Sequence, residues 1–333
     1  LSSMCTSPHP VAKKAYWMFL ETNLGDAGLF LGTKQLEVEA VQMLGSLLNN
    51  SKAAGFIVSG GTEANILALR VARNMFNIPK PEIIVPKSAH FSFEKAADIL
   101  KIKLVKINLD QNYCVKVQSV RKRITKNTIG IVGTVGTTEY GTIDPIPELS
   151  ELALNNDLYL HVDAAFGGMV IPFLKEFGYN LPKFDFDLEG VDSITIDPHK
   201  MGIVPIPAGG IIFRDSSYLK YLEIETPYLS EAKQATILGT RTGGGAAATW
   251  AMFKHLGRQG YRKIVKNCIE LTKYLVNEIK KIPQVELVIE PILNIVVFKV
   301  KNAKKVASYL HQRGWAVSLS SNLKSIRVVI MPH

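Results

Sequence analysis

Lys200 stands in Ser193-Ile194-Thr195-Ile196-Asp197-Pro198-His199-Lys200-Met201-Gly202, where a short β-branched run breaks at Asp-Pro-His. A strand ending there sets the lysine on a turn at the carboxyl edge of a sheet, where open α/β folds bind their ligands. An amine fixed in that place can form a Schiff base with an aldehyde. Read alone, the same residues also describe a surface lysine after a turn. Upstream, Ser59-Gly60-Gly61-Thr62-Glu63-Ala64-Asn65 separates an apolar run from a helical pattern. Glycines let a ligand approach the backbone, and the free N–H groups of a helix's first turn attract phosphate. Thr62 adds a hydroxyl, although it also fits the N-cap of a plain tight turn. No Gly-Lys-Ser/Thr follows, so this is not a Walker loop.

His161-Val162-Asp163-Ala164-Ala165-Phe166-Gly167-Gly168 closes another apolar run. Alternation along a strand places His161 and Asp163 on one face. A carboxylate at a buried strand end is costly unless paired. A pyridinium N–H would pair with Asp163 and remain protonated, the condition for an electron sink. Ala165 is small enough for a flat ring to lie against it, while an Asp that merely caps a turn is the blander alternative. His90, in Ser88-Ala89-His90-Phe91-Ser92, could stack on such a ring, serve as a satisfied core histidine, or sit beside a helix N-cap. Thr134-Val135-Gly136-Thr137-Thr138 offers hydroxyls and backbone donors at the same edge. Amine, carboxylate, imidazole and phosphate loop together suit pyridoxal phosphate.

The elements that must position these groups follow from hydrophobic periodicity. Short apolar strands are expected at 56–58, 83–85, 103–109, 129–132, 158–162, 193–196 and 210–213, with helices at 62–76, from about 91, and at 146–156. Strands alternating with helices predict a mostly parallel α/β sheet with helices on both faces. After Gly243-Gly244-Gly245 the pattern is helical to about residue 281, where Ile282-Pro283 breaks it. Strands at 295–300, 316–319 and 326–330 and a helix at 303–313 then predict a small α+β domain.

Bulk properties exclude other classes. The 333 residues are 47% hydrophobic and 20% charged, which suits a large globular core. The net charge of +10 is spread over short basic groups without interleaved aromatics, so no nucleic-acid partner is expected. The three cysteines are far apart, which argues against a disulfide scaffold or metal site and for a reducing cytoplasm. The seven histidines show no metal-ligand spacing. No apolar run reaches membrane-spanning length, so no membrane partner is expected. The sequence opens at Leu1 and stops at His333 just after an apolar strand, so an element is expected to be missing at each end.

The order phosphate loop, His90, Thr-rich turn, Asp163, His199-Lys200 resembles the fold-type I pyridoxal-phosphate enzymes, in particular the group II amino-acid decarboxylases. It is similar to the archaeal L-tyrosine/L-aspartate decarboxylase family nearly end to end. Ser7-Pro8-His9-Pro10, Glu21-Thr22-Asn23-Leu24-Gly25-Asp26, Ala235-Thr236-Ile237-Leu238-Gly239-Thr240-Arg241 and Arg327-Val328-Val329-Ile330-Met331-Pro332-His333 carry that likeness. The resemblance implies Lys200 as the Schiff-base lysine, Asp163 on the pyridine nitrogen, and His90 and Ala165 on the two ring faces. It implies that Gly61, Thr62 and His199 hold the phosphate, and that Thr137 lies close to the ring. Thr240 and Arg241 would reach the phosphate of the neighbouring subunit in a homodimer with interfacial active sites. Residues 1–45 would make substrate and dimer contacts, 46–255 the large cofactor domain, and 256–333 a linking helix and small domain. One departure is Asp197, where many group II relatives have Asn.

The implied reaction is removal of the α-carboxylate of an L-amino acid, with Tyr228, in a loop after Lys200, as proton donor to Cα. L-Tyrosine is the preferred expectation, with an apolar slot built near His9 and Leu24-Gly25-Asp26. L-Aspartate is the alternative, its side-chain carboxylate met by Arg241 or Arg327. A carbon–carbon lyase or an aminotransferase of the same fold type is a further alternative.

Overall fold

The computed structural model describes residues 1–320 and 324–333. Its large sheet has seven strands: β1 (Ala54–Val58), β2 (Glu82–Pro86), β3 (Lys103–Ile107), β4 (Thr128–Thr134), β5 (Tyr159–Asp163), β6 (Ser193–Ile196) and β7 (Gly209–Phe213). Their order is β1-β7-β6-β5-β4-β2-β3, and every neighbouring pair is parallel except the two that β7 makes. The expected mostly parallel sheet is thus present. β7 runs against its neighbours because it returns from the Lys200 turn directly, with no helical crossover.

Helices α1 (Pro10–Met18) and α2 (Leu31–Leu47) precede the sheet. Helices α3 (Gly61–Phe76), α4 (Ser92–Leu100), α5 (Val117–Arg121), α6 (Ile146–Leu154) and α7 (Ile171–Glu176) connect its strands. Side-chain alternation divides the core between the two faces. Ile57, Ile84, Ile131, Leu160, Val162, Ile194 and Ile196 join the side of α2, α6 and α7, whereas Val58, Ile83, Val85 and Tyr159 join that of α3 and α4. Sequence periodicity missed α1 and α2, because charged and small residues dilute their apolar stripes.

A two-strand hairpin, β8 (Ile224–Glu225) and β9 (Lys233–Gln234), carries the loop that follows the sheet. Helix α8 (Gly244–Lys280) breaks at Gly257, whose φ of 55° is tolerated best by a residue without a side chain. Beyond it lie β10 (Val285–Leu287), β11 (Ile295–Val300), α9 (Ala303–Gln312), β12 (Ser318–Ser320) and β13 (Ser325–Val329). These strands form an antiparallel sheet in the order β10-β11-β13-β12, the expected small α+β domain. The first residues lie along it. Val329 N donates to Leu1 O at 2.8 Å and Arg327 Nη2 to Ser2 O at 3.0 Å, which leads Met4 toward the edge of the large sheet.

Candidate active site

The carboxyl edge of the large sheet opens into a cavity of about 400 Å³. Gly61, Thr62, His90, Asp163, Ala165, His199 and Lys200, all singled out in the sequence, line it. They come from separate turns, and the parallel strands bring those turns to one edge.

Lys200 Nζ lies 2.9 Å from Asp197 Oδ2. Burial opposes the ammonium, but Asp197 and Asp163 outweigh it and hold the amine above its ordinary pKa. Burial would likewise raise Asp197; Lys200 and His199 outweigh it and bring that carboxyl down to about 2. Asp197 Oδ1 is buried without a partner among the described residues. His199 Nδ1 accepts from Ala208 N at 3.2 Å, which leaves Nε2 as the donor, 3.5 Å from Asp197 Oδ2.

Across the cavity, Asp163 Oδ1 accepts from Ala165 N at 3.1 Å and Oδ2 from Asn65 Nδ2 at 3.0 Å. His90 accepts from Ser92 N through Nδ1 at 3.3 Å, and burial, partly offset by Asp163, lowers its pKa and favours the neutral ring. At the first turn of α3 no side chain among the described residues caps the helix. A Cβ on Gly60 would meet the His199 ring at 3.0 Å, and one on Gly61 would meet Asp197 Oδ2 at 3.0 Å. A side chain would therefore crowd His199 and Asp197 at both positions, and at Gly60 the φ of 156° further favours glycine, so the backbone of this turn stays open to the cavity.

These residues fit pyridoxal phosphate. A primary amine sits in reach of an aldehyde, a fixed carboxylate opposes it, and a neutral imidazole and a small alanine could bracket a flat ring. The uncapped helix start is suited to a dianion.

Thr137 and Tyr228, expected at this site, do not line it, nor do Thr240 and Arg241, which were expected at a neighbouring subunit's site. Thr137 is fully buried and its hydroxyl is 2.8 Å from that of Thr142; the turn through Gly136 brings Thr134 and Thr138 to the cavity instead. Arg241 gives both terminal nitrogens to Glu37, at 2.5 and 2.8 Å, and Nη1 also reaches Ile57 O. A buried guanidinium stays where its carboxylate is, which holds Arg241 away from the cavity of its own chain. Thr240 is exposed outside the cavity, and Tyr228 is 85% exposed in the β8–β9 loop. The slot expected near His9 and Asp26 is also elsewhere: His9 accepts from Val11 N at the start of α1, and Asp26 accepts from Ser230 N. Asn65 and Met4 also line the cavity. Asn65 belongs to the Ser59–Asn65 turn and helix start, and nothing local in the sequence marks Met4.

Residues 32–301 match the family described as "Pyridoxal-dependent decarboxylase conserved domain". The chain belongs to the pyridoxal-dependent decarboxylase family. A Methanothermobacter thermautotrophicus protein named "Probable L-tyrosine/L-aspartate decarboxylase" is 58% identical, across 100% of this chain and 92% of its own. A Thermococcus kodakarensis "L-aspartate decarboxylase" is 55% identical, across 100% and 87%. Among solved structures, a Burkholderia pseudomallei sphingosine-1-phosphate lyase superposes with a TM-score of 0.92 at 29% identity, covering 98% of this chain and 80% of that one. A Lactobacillus brevis glutamate decarboxylase gives 0.89 at 24% identity, over 100% and 83%, a likeness of fold. This decarboxylase therefore has the fold-type I architecture and uses pyridoxal phosphate on an amino acid. No helix among its described residues is long and apolar enough to cross a membrane.

Proposed function

We propose that this decarboxylase converts L-tyrosine to tyramine and CO₂, in the cytoplasm, as a homodimer. The observation carrying the substrate reading is Met4, whose half-buried apolar side chain lines the cavity and gives an aromatic side chain a surface to pack against. The name of the 58%-identical relative includes tyrosine and supports it. L-Aspartate, giving β-alanine, is a second reading with its own support. Arg327 Nη1 donates to the carbonyl of Thr138 on the cavity wall at 2.6 Å and Nη2 to Ser2 O and Ser318 Oγ, while its buried Nε has no partner among the described residues. Such a cation suits a substrate carboxylate.

When bound, pyridoxal phosphate supplies the electron sink for the electrons that CO₂ leaves behind. The chain supplies position and charge. Lys200 would offer the amine, Asp163 would accept from the ring nitrogen, and His90 and Ala165 would confine the ring. Gly61, Thr62 and His199 would hold the phosphate. Tyr228, in the exposed β8–β9 loop, would supply the proton to Cα, and Thr240 would extend to the site of the neighbouring subunit. The dimer is supported by apolar side chains left in water near the N-terminus: Trp17 (75% exposed), Met18, Leu29 and Leu31.

Purified protein supplied with each amino acid tests the substrate. Tyramine formed faster than β-alanine is expected; β-alanine formed much faster would overturn the choice. Sedimentation as a monomer at micromolar concentration would remove the dimer.

A further inference from the structure

Near the middle of the large sheet, one face of two neighbouring strands is polar. Tyr159, His161 and Asp163 of β5, with Ser193 and Thr195 of β6, point toward α3 and α4, while Leu160, Val162, Ile194 and Ile196 between them enter the opposite core. Such a face is costly unless every group is paired, and here the pairs form one chain. Tyr159 Oη lies 2.7 Å from Ser193 Oγ, and His161 Nδ1 lies 2.8 Å from the same oxygen. His161 Nε2 is 3.0 Å from Asn65 Oδ1, which also accepts from Thr195 Oγ1 at 2.7 Å. Asn65 Nδ2 then donates to Asp163 Oδ2 at 3.0 Å and to Ser92 Oγ at 2.9 Å. Apart from Asp163, which borders the cavity, none of these residues is more than 2% exposed.

Thr195 Oγ1 also lies 3.2 Å from His161 Nε2, and the proton arrangement that gives Asn65 Oδ1 two donors puts the imidazole proton on Nε2. The Tyr159 proton goes to Ser193, the Ser193 proton to His161 Nδ1, and the imidazole carries its own proton on Nε2, directed at Asn65 Oδ1. Two donors thereby pin the amide oxygen and turn its NH₂ toward Asp163. The reversed amide would set an oxygen against a carboxylate.

We infer that Asn65 is a positioning residue for Asp163, and that His161 and Thr195 act through it by fixing the direction of its amide. With Oδ2 held by Asn65 and Oδ1 by Ala165 N, the carboxylate cannot rotate and presents one set of lone pairs to the cavity. The second NH₂ proton ties this orientation to Ser92, whose N–H holds His90. One amide thus sets both the carboxylate and the turn bearing the stacking imidazole. His161 suits this task because burial brings its pKa down to about 3, so the chain keeps one proton pattern at working pH.

The inference rests on the assignment of Asp163 to the pyridine nitrogen. Its test is titration of the apoprotein with pyridoxal phosphate, without substrate, following the visible band and its pH dependence. Asn65→Leu should weaken binding by roughly ten- to a hundredfold, the worth of a hydrogen bond to a charged group. Thr195→Val, which lies outside the cavity, should weaken it about three- to tenfold, and Thr195→Ser should restore it to within about twofold. Nitrogen NMR of the apoprotein should show His161 neutral with its proton on Nε2 at about pH 5, where an ordinary histidine is protonated. The inference fails if Asn65→Leu folds and binds like the wild type, or if Thr195→Val and Thr195→Ser are equally impaired. It also fails if His161 carries its proton on Nδ1. Should Asn65→Leu not fold, the two Thr195 variants decide. Wild-type protein that binds no cofactor would instead overturn the cofactor assignment, and the tautomer would still report on the chain of bonds.

Discussion

At the carboxyl edge of the large sheet, Asp163 is gripped by Ala165 and Asn65, and Lys200 is paired with Asp197. In the stretch between β7 and α8, Tyr228 stands in solvent, Thr240 is exposed, and Arg241 is bound to Glu37 of its own protomer. The first region is preorganised by strands that the fold must form anyway. The second is held by a few polar contacts, Ser230 on Asp26 and Lys34 with Glu231. The proposed chemistry that needs fixed charge is thus placed on the sheet, and the step proposed for Tyr228 on an exposed loop.

The strongest way to break this contrast is Lys200→Ala, expected to lower amine formation on the order of 10³-fold or more while the fold persists. Near-normal turnover in that variant would place the reactive amine elsewhere. Asp163→Asn should cost about 10²–10³-fold, as expected when a preorganised charge is lost at a reacting group, and a loss under about tenfold would demote it. Tyr228→Phe sharpens the comparison from the other side. Amine formation should fall about 10²-fold, the low end for a general acid, with cofactor affinity and thermal midpoint unchanged. Unaltered turnover would leave the tyrosine a surface residue.

The smaller effects are on stability. Arg241→Ala strands Glu37 in a buried place, and a loss of about 3–5 kcal/mol is expected in denaturant melts. Arg241→Met with Glu37→Leu should recover most of it, and an unchanged melt for the single variant would mean that the pair is not structural. For Asp197, the folded pKa of about 2 lies below the ordinary 3.8. Its contribution, about 2 kcal/mol, is complete above the ordinary value and lost as pH falls through the folded one. Wild type should therefore exceed Asp197→Asn at neutral pH, with the difference closing between about pH 4 and pH 2. Lys200 has the opposite sign, since its raised value contributes below the ordinary lysine range and fades only as pH rises through the folded value. A difference that persists at pH 2 would contradict the pairing.

The same contrast explains what the sequence disclosed. Ser193–Ile196 reads as a strand because four alternating residues and a proline stop leave little choice, and Lys200 follows from it. Asp163 was legible for the same reason. Thr137 was misplaced because a Thr-rich turn does not reveal which hydroxyl faces the cavity; the backbone through Gly136 decides that. Arg241 looked available because its partner, Glu37, lies 204 positions away on α2, a helix that periodicity did not disclose. The role of Asn65 required three elements to meet, and no local pattern records that.

Reduction of the wild-type protein with borohydride after adding pyridoxal phosphate, followed by peptide mass spectrometry, tests the central claim most directly. The account predicts that the peptide containing Lys200 gains the mass of the reduced cofactor and that no other lysine peptide does. Labelling of a different lysine, or none in folded protein, would contradict it.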